Sequence, residues 1–162
     1  MTDWRIVVMG VSGCGKSSVG QALAEALGAR FIDGDDLHPE ANKAKMAAGI
    51  PLNDEDRWPW LDLVAAALAE GNTVVACSAL KRVYRERIGA GAPETQFVHL
   101  HGSRELLAQR MGARPNHFMP ISLLDSQLNT LELLAADEPG HTYDIAAPVD
   151  QLVAAALADL TT

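Results

Sequence analysis

The segment Gly10-Val11-Ser12-Gly13-Cys14-Gly15-Lys16-Ser17 follows a β-branched run and matches the pattern GxxxxGK[ST]. Glycines at this spacing let backbone N–H groups turn inward against phosphate oxygens, and a helix opening behind them aims its positive end at the same anion. Lys16 adds a full charge for β- and γ-phosphates, and the Ser17 hydroxyl suits a Mg²⁺ ligand. A chance match is expected in on the order of one chain in a few hundred. Binding of a nucleoside triphosphate is therefore the first expectation.

Where the phosphate goes must be read from the other chemistry-bearing segments. Asp33-Gly34-Asp35-Asp36-Leu37-His38-Pro39 follows a second apolar run, and alternation along an extended segment points Asp33 and Asp35 the same way. Phosphoryl transfer to an alcohol needs one carboxylate near a hydrated Mg²⁺ and one to orient, or deprotonate, the acceptor hydroxyl. Asp33 is expected in the first role and Asp35 in the second. Taken alone, this stretch reads as a solvated turn; the phosphate loop beside it changes the reading. Cys77-Ser78-Ala79-Leu80-Lys81-Arg82-Val83-Tyr84-Arg85 brings cations to a further strand end. Helical spacing places Lys81 and Arg85 on one face beside Tyr84, a clamp for a carboxylate or phosphate. Arg57 adds a planar fork suited to a carboxylate.

Arg110 and Arg114 stand four apart, but Pro115 pushes Arg114 toward extended geometry and ends the helix near Ala113. The loop that follows, about residues 114–120 with His117 in it, is suited to close over the nucleotide, exclude water and deliver Arg114 to the transferring phosphoryl group. His99 and His101 share a strand face without a third metal ligand and read as ordinary strand residues. Trp58 and Trp60 read as packing residues.

These groups need a scaffold, and the remaining sequence supplies one in alternating order. Strand signals lie at Arg5–Met9, Arg30–Asp33, Thr73–Ser78, Thr95–His101 and Tyr143–Ala146. Helical stripes lie between and after them: Val19, Leu23, Ala26 and Leu27 before Gly28; Leu61, Val64, Ala65 and Leu68 before Gly71. Leu124, Leu128, Leu131 and Ala135 form another, opened by Ser122 as N-cap, and Leu152, Ala155, Ala156 and Leu160 close the chain. This order implies an α/β fold, a mainly parallel sheet with helices on both faces and ligands at the carboxyl ends of its strands. The 162 residues, 48% hydrophobic and 21% charged, suit one domain over 1–162. A net charge of −8 opposes nonspecific binding to nucleic acid or an anionic membrane. Apolar runs fall short of the ~18 residues of a membrane span, and the start has no secretory pattern. Two cysteines form no disulfide framework, which fits a cytoplasmic protein.

Together these blocks resemble the small bacterial-type gluconokinases, relatives of the shikimate and nucleoside monophosphate kinases among P-loop kinases. The resemblance runs over nearly the whole chain. It rests on Gly10–Ser17, Asp33-Gly34-Asp35 with His38, Pro51-Leu52-Asn53-Asp54 through Asp56-Arg57 and Pro59-Trp60-Leu61, Cys77–Lys81 with Tyr84-Arg85, Arg110/Arg114 with His117-Phe118, Ser126-Gln127 and Leu131-Glu132. It implies a three-layer P-loop kinase fold with a five-stranded parallel sheet of order 2-3-1-4-5, a mobile lid and a homodimer. The implied reaction moves the γ-phosphate of ATP, with Mg²⁺, to the 6-hydroxyl of D-gluconate. Gly10, Val11, Ser12, Gly13, Cys14, Gly15, Lys16, Ser17 and Ser18 would bind ATP, with Arg110 along the adenine. Asp35, His38, Arg57, Lys81, Arg85, His117 and Gln127 would bind the sugar acid; Ser17 and Asp33 would hold the metal; Lys16, Asp35 and Arg114 would be catalytic. Pro115-Asn116 departs from the family pattern, where a basic residue and Gly are usual.

Two other readings are carried forward. The same chemistry could serve another small anionic acceptor, such as a shikimate-like acid or a nucleoside monophosphate, or the chain could be a nucleotide-binding regulator without turnover. A switch GTPase is disfavoured, because Asn42-Lys43-Ala44-Lys45 lacks the Asp of a base-recognition motif and follows no strand signal.

Overall fold

The computed structural model describes residues 3–11, 13–112 and 121–161. Ser12, and the expected lid at about 114–120 with Arg114 and His117, lie outside the described residues.

Strand β1 (Arg5–Met9) is the centre of the molecule, and its residues Ile6, Val7, Val8 and Met9 are wholly buried. It pairs in parallel with β3 (Thr73–Ala76) on one side and β4 (Gln96–His101) on the other; β2 (Arg30–Asp33) and β5 (Gly140–Asp144) form the edges. The five-stranded order is β2-β3-β1-β4-β5, as the family resemblance implies.

Strand alternation divides the core into two layers. Ile6 and Val8 pack with Val19, Leu23 and Ala24 of α1 (Lys16–Leu27) and with Leu152, Val153 and Ala156 of α7 (Val149–Leu160). Val7 and Met9 face the opposite way, onto Leu61, Val64 and Leu68 of α3 (Asp54–Ala69) and Ile88 of α4 (Arg82–Gly91). Each Val, Leu, Ile and Met among them contributes roughly 1.5–3 kcal/mol by leaving water. Both faces of the central strands are covered, which is why they read as continuous apolar runs.

The remaining helices are α2 (Glu40–Ala47), α5 (Arg104–Gly112) and α6 (Ile121–Thr130), with a short 3-10 turn at Gly34–Leu37. Several expected boundaries shift. The third strand ends at Ala76, and the fifth runs over Gly140–Asp144 with Gly140 opposite Phe97. As an edge strand it is mostly exposed, so it carries no buried alternation to read. The stripe ending at Ala135 is helical only to Thr130, because the Glu132 amide turns away to the Leu80 carbonyl at 2.7 Å. Ser122 lies inside α6 rather than capping it.

Candidate active site

The loop after β1 is shaped by close approach. A Cβ on Gly10, whose φ is +147°, would stand 2.6 Å from the Leu100 carbonyl and 2.7 Å from Cys14 Sγ. Gly15 caps α1 in the left-handed region at φ 91° and, having no side chain, makes no cap bond to the first turn. The first-turn amides, led by those of Lys16, Ser17 and Ser18, therefore keep their capacity to bind an anion, reinforced by the helix dipole. Lys16 Nζ donates to the carbonyls of Gly10 at 3.0 Å and Val11 at 3.3 Å, which folds its charge back over the loop.

The acidic segment lies against this loop, at the carboxyl end of β2. Asp33 and Asp35 do not come together through strand alternation as expected. The strand stops at Asp33, whose carboxylate accepts the Asp35 amide at 3.0 Å and caps the 3-10 turn. Gly34 permits this, since a Cβ there would stand 2.5 Å from the Ala76 carbonyl. Asp35 is held above the ordinary carboxylate range, first by the loss of water against the cleft walls and then by Asp33, while Lys16 and His38 pull it down. Lys16 is thus near enough for its charge to be felt at Asp35.

The wall beyond is built by α2 and α3. A capping box joins Asn53 and Asp56, the Asp56 amide reaching Asn53 Oδ1 at 2.8 Å and the Asn53 amide reaching Asp56 Oδ2 at 3.0 Å. Lys45 bridges to the Asp56 carboxylate at 2.8 Å and ties α2 to α3. His38 is buried and stacks on Trp60 with ring centroids 4.2 Å apart and planes 16° from parallel. Trp60 Nε1 donates to the Gly34 carbonyl at 2.8 Å, so one indole supports both the acidic turn and the imidazole. Trp60 is a packing residue, as expected, with this added polar function.

Two cations share one aromatic platform. The Arg57 guanidinium carbon lies 5.5 Å and the Lys81 ammonium 5.7 Å from the Tyr84 ring centroid. The Tyr84 hydroxyl donates to Asp54 at 2.6 Å, and Arg57 reaches the same carboxylate oxygen at 3.4 Å. Burial, followed by the Asp54 bond, pushes the Tyr84 hydroxyl up to about 12; the same bond, with Lys81 and Arg57 nearby, holds Asp54 below its usual range.

Arg85 does not share a clamp with Lys81. Lys81 is the extended N-cap of α4, whereas Arg85 is 2% exposed and its guanidinium pairs with Glu138 at 2.6 and 3.0 Å. It also donates to the Ala79 carbonyl at 2.9 Å. Its charge is matched, and it braces the chain after β3 against the segment before β5. Arg110 donates to the Ile145 carbonyl at 2.5 Å, reaching the chain after β5, and Gln127 is half-buried on α6. Sequence reasoning missed Asn42, Lys45 and Glu138, because a polar side chain whose partner is remote in sequence has no local signature.

A Mg²⁺ fits the donors at the cleft: Ser17 offers a hydroxyl, Asp33 a carboxylate, and both are hard oxygen ligands of the kind this ion prefers while keeping several waters. The repulsion between Asp33 and Asp35 is also of the sign a dication relieves. Among the described residues no group of three His, Cys, Asp or Glu forms a metal cluster, His99 and His101 included.

The shikimate kinase family model matches residues 12–149, and the chain belongs to that family. Among relatives, a probable gluconokinase of Xenopus tropicalis is 47% identical over 168 residues, covering 91% of this chain and 88% of its own. A gluconokinase of Gluconobacter oxydans is 50% identical over 139 residues, covering 83% and 78%. The crystal structure of a gluconokinase from Sinorhizobium meliloti superposes with a TM-score of 0.91 at 53% identity, over 98% of this chain and 92% of that one. Within the family, the chain stands with the gluconokinases.

Proposed function

We propose that this chain is an ATP-dependent gluconokinase that transfers the γ-phosphate of ATP to the 6-hydroxyl of D-gluconate, giving 6-phospho-D-gluconate and ADP. The observation that supports this reading is the nearness of the acidic turn to the phosphate loop, where the Lys16 charge is felt at Asp35. The identities to gluconokinases support the choice of acceptor.

In this mechanism the loop amides of residues 10–18 and the N-terminus of α1 hold the triphosphate, and Lys16 balances charge as it moves to the β–γ bridge. Asp35 accepts a hydrogen bond from the acceptor hydroxyl and orients its oxygen for in-line attack. Its raised affinity for a proton suits it to take that proton as the bond to phosphorus forms. Arg57 and Lys81, presented on Tyr84, take the carboxylate at the other end of the acid, and His38 binds between. Ser17 and Asp33 would hold Mg²⁺, which supplies neutralisation of phosphate charge when bound. Arg110 lies along the adenine, Gln127 and His117 complete the acceptor pocket, and Arg114 arrives with the 114–120 lid. Arg85 is left out of the pocket because its charge is already paired with Glu138. Residues 1–162 form one catalytic domain, acting as a homodimer in the cytoplasm. Among the described residues no helix is long and apolar enough to cross a membrane.

The test is ADP formation across gluconate, its epimers, shikimate and nucleoside monophosphates. Gluconate is expected to drive turnover well above the rest. Preference for shikimate would favour the family's other acceptor, and ATP binding without turnover on any acid would favour a regulator.

A further inference from the structure

Helix α2 has one buried residue, and it is not apolar: Asn42, 3% exposed. Its amide nitrogen lies 2.8 Å from the Asp56 carbonyl and 3.2 Å from His38 Nδ1. The first contact decides the second. A backbone carbonyl only accepts, so the Asn42 atom beside it is the NH₂ group and not the amide oxygen. With one hydrogen on Asp56, the other points at His38 Nδ1, which must then accept. An imidazole that accepts at Nδ1 and is neutral carries its proton on Nε2, at its other edge.

We infer that Asn42 is a positioning residue that locks His38 in the neutral tautomer protonated on Nε2, so that the imidazole serves the acceptor substrate as a hydrogen-bond donor. The donor role toward substrate rests on the kinase reading above; the tautomer does not. Trp60 fixes the ring plane by stacking, and Asn42 fixes which nitrogen holds the hydrogen. A donor there complements Asp35, which accepts, so one hydroxyl of a polyol can give its hydrogen to Asp35 while a neighbouring oxygen takes one from His38. Shape alone would not enforce that polarity.

The charged groups facing His38 are consistent with a neutral ring. Burial lowers its proton affinity, Asp35 from the 3-10 turn opposes this, and Lys43 of α2 and Arg57 of α3 lower it further. Protonation would also place a hydrogen on Nδ1 against the Asn42 NH₂ and break that contact.

The first measurement needs no variant: the ¹⁵N shifts of His38 in the full chain, assigned by loss of the signals in His38→Gln. A pyridine-type Nδ1 and a pyrrole-type Nε2 are expected, and the reverse assignment overturns the inference. The second is Asn42→Asp, whose carboxylate accepts from Nδ1 and so draws the ring hydrogen away from Nε2. In the neutral ring the ¹⁵N assignment should reverse, to a pyrrole-type Nδ1, and the acceptor KM should rise about three- to tenfold, the effect of losing a hydrogen bond, with the ATP KM unchanged. Lys45→Met loosens the same pair of helices without touching the tautomer and should keep the pyridine-type Nδ1 and the acceptor KM within about twofold of wild type. If Lys45→Met raises the acceptor KM as Asn42→Asp does, Asn42 is merely structural and the inference fails. It also fails if Asn42→Asp changes neither the acceptor KM nor the ¹⁵N assignment. Absence of gluconate turnover in the wild-type chain would instead sink the reaction assignment, and the ¹⁵N tautomer would still decide the state of the ring.

Discussion

Replacing Glu138 by Gln separates two roles for Arg85, gripping substrate or bracing the scaffold. The side chains of the pair are 1% and 6% exposed, with contacts of 2.6 and 3.0 Å. Burial alone would raise the proton affinity of Glu138; the Arg85 bonds and the Ala135 amide at 2.8 Å outweigh it and hold the group below the usual glutamate range. Removing one partner of such a pair leaves a buried, uncompensated charge and costs about 3–5 kcal/mol. The Gln amide still accepts one hydrogen bond, so the lower end, about 3 kcal/mol, is expected. For a chain of this length that lowers Tm by about 6–12 °C. Circular dichroism melting reads the shift, and steady-state kinetics below the transition read the gluconate KM, which should stay within about twofold of wild type. Were Arg85 a direct ligand of the acid, releasing it from Glu138 would instead change KM by about tenfold or more, the scale of a charge-assisted bond. A Tm within about 2 °C of wild type, together with such a KM change, would refute the scaffold reading.

Lys16→Met should abolish turnover and weaken ATP binding, measured by calorimetry; full ATP affinity in the variant would contradict the loop assignment. Tyr84→Leu removes the platform under two cations at about 0.5–1 kcal/mol each, so the gluconate KM should rise roughly five- to thirtyfold, whereas Tyr84→Phe, which keeps the ring, should lose much less. Equal losses in the two variants would dismiss the platform. His99 is wholly buried, and burial, then His101 and Arg85, push it down to about 4 from an ordinary 6.5. Above pH 6.5 both folded and unfolded chains hold it neutral; as pH falls toward 4 the unfolded chain takes the proton first, costing up to about 3 kcal/mol of stability. His99→Gln should flatten that loss in urea unfolding at a series of pH values, and an unchanged slope would show that other groups cause it.

The parts of this molecule legible in the sequence are those governed by local rules. A glycine pattern between a strand and a helix states its own geometry, and β1 announced itself because both of its faces are buried. Helix α2 escaped notice because it has no apolar stripe, its one buried residue being Asn42. The fifth strand starts before its sequence signal because an exposed edge has no period to detect, and α6 is shorter than its stripe because Leu131 and Ala135 continue the apolar spacing after the backbone has turned toward Leu80. The same limit applies within the site. Alternation points Asp33 and Asp35 the same way, whereas in the structure it is a cap, the Asp35 amide on the Asp33 carboxylate, that ties the two residues. Arg85 has the spacing of a ligand, and nothing within five residues of it reveals that Glu138, remote in sequence, neutralises it.

The most direct test of the account is gluconate-dependent ADP release by Asp35→Asn beside the wild-type chain, with ATP affinity measured on both. The account predicts a fall in kcat of about 10²–10⁴-fold, the usual contribution of a positioned acid–base group, with ATP binding changed by less than about threefold. Turnover close to wild type in the variant would mean that the carboxylate facing Lys16 does not handle the acceptor hydroxyl, and the proposed chemistry of this cleft would be wrong.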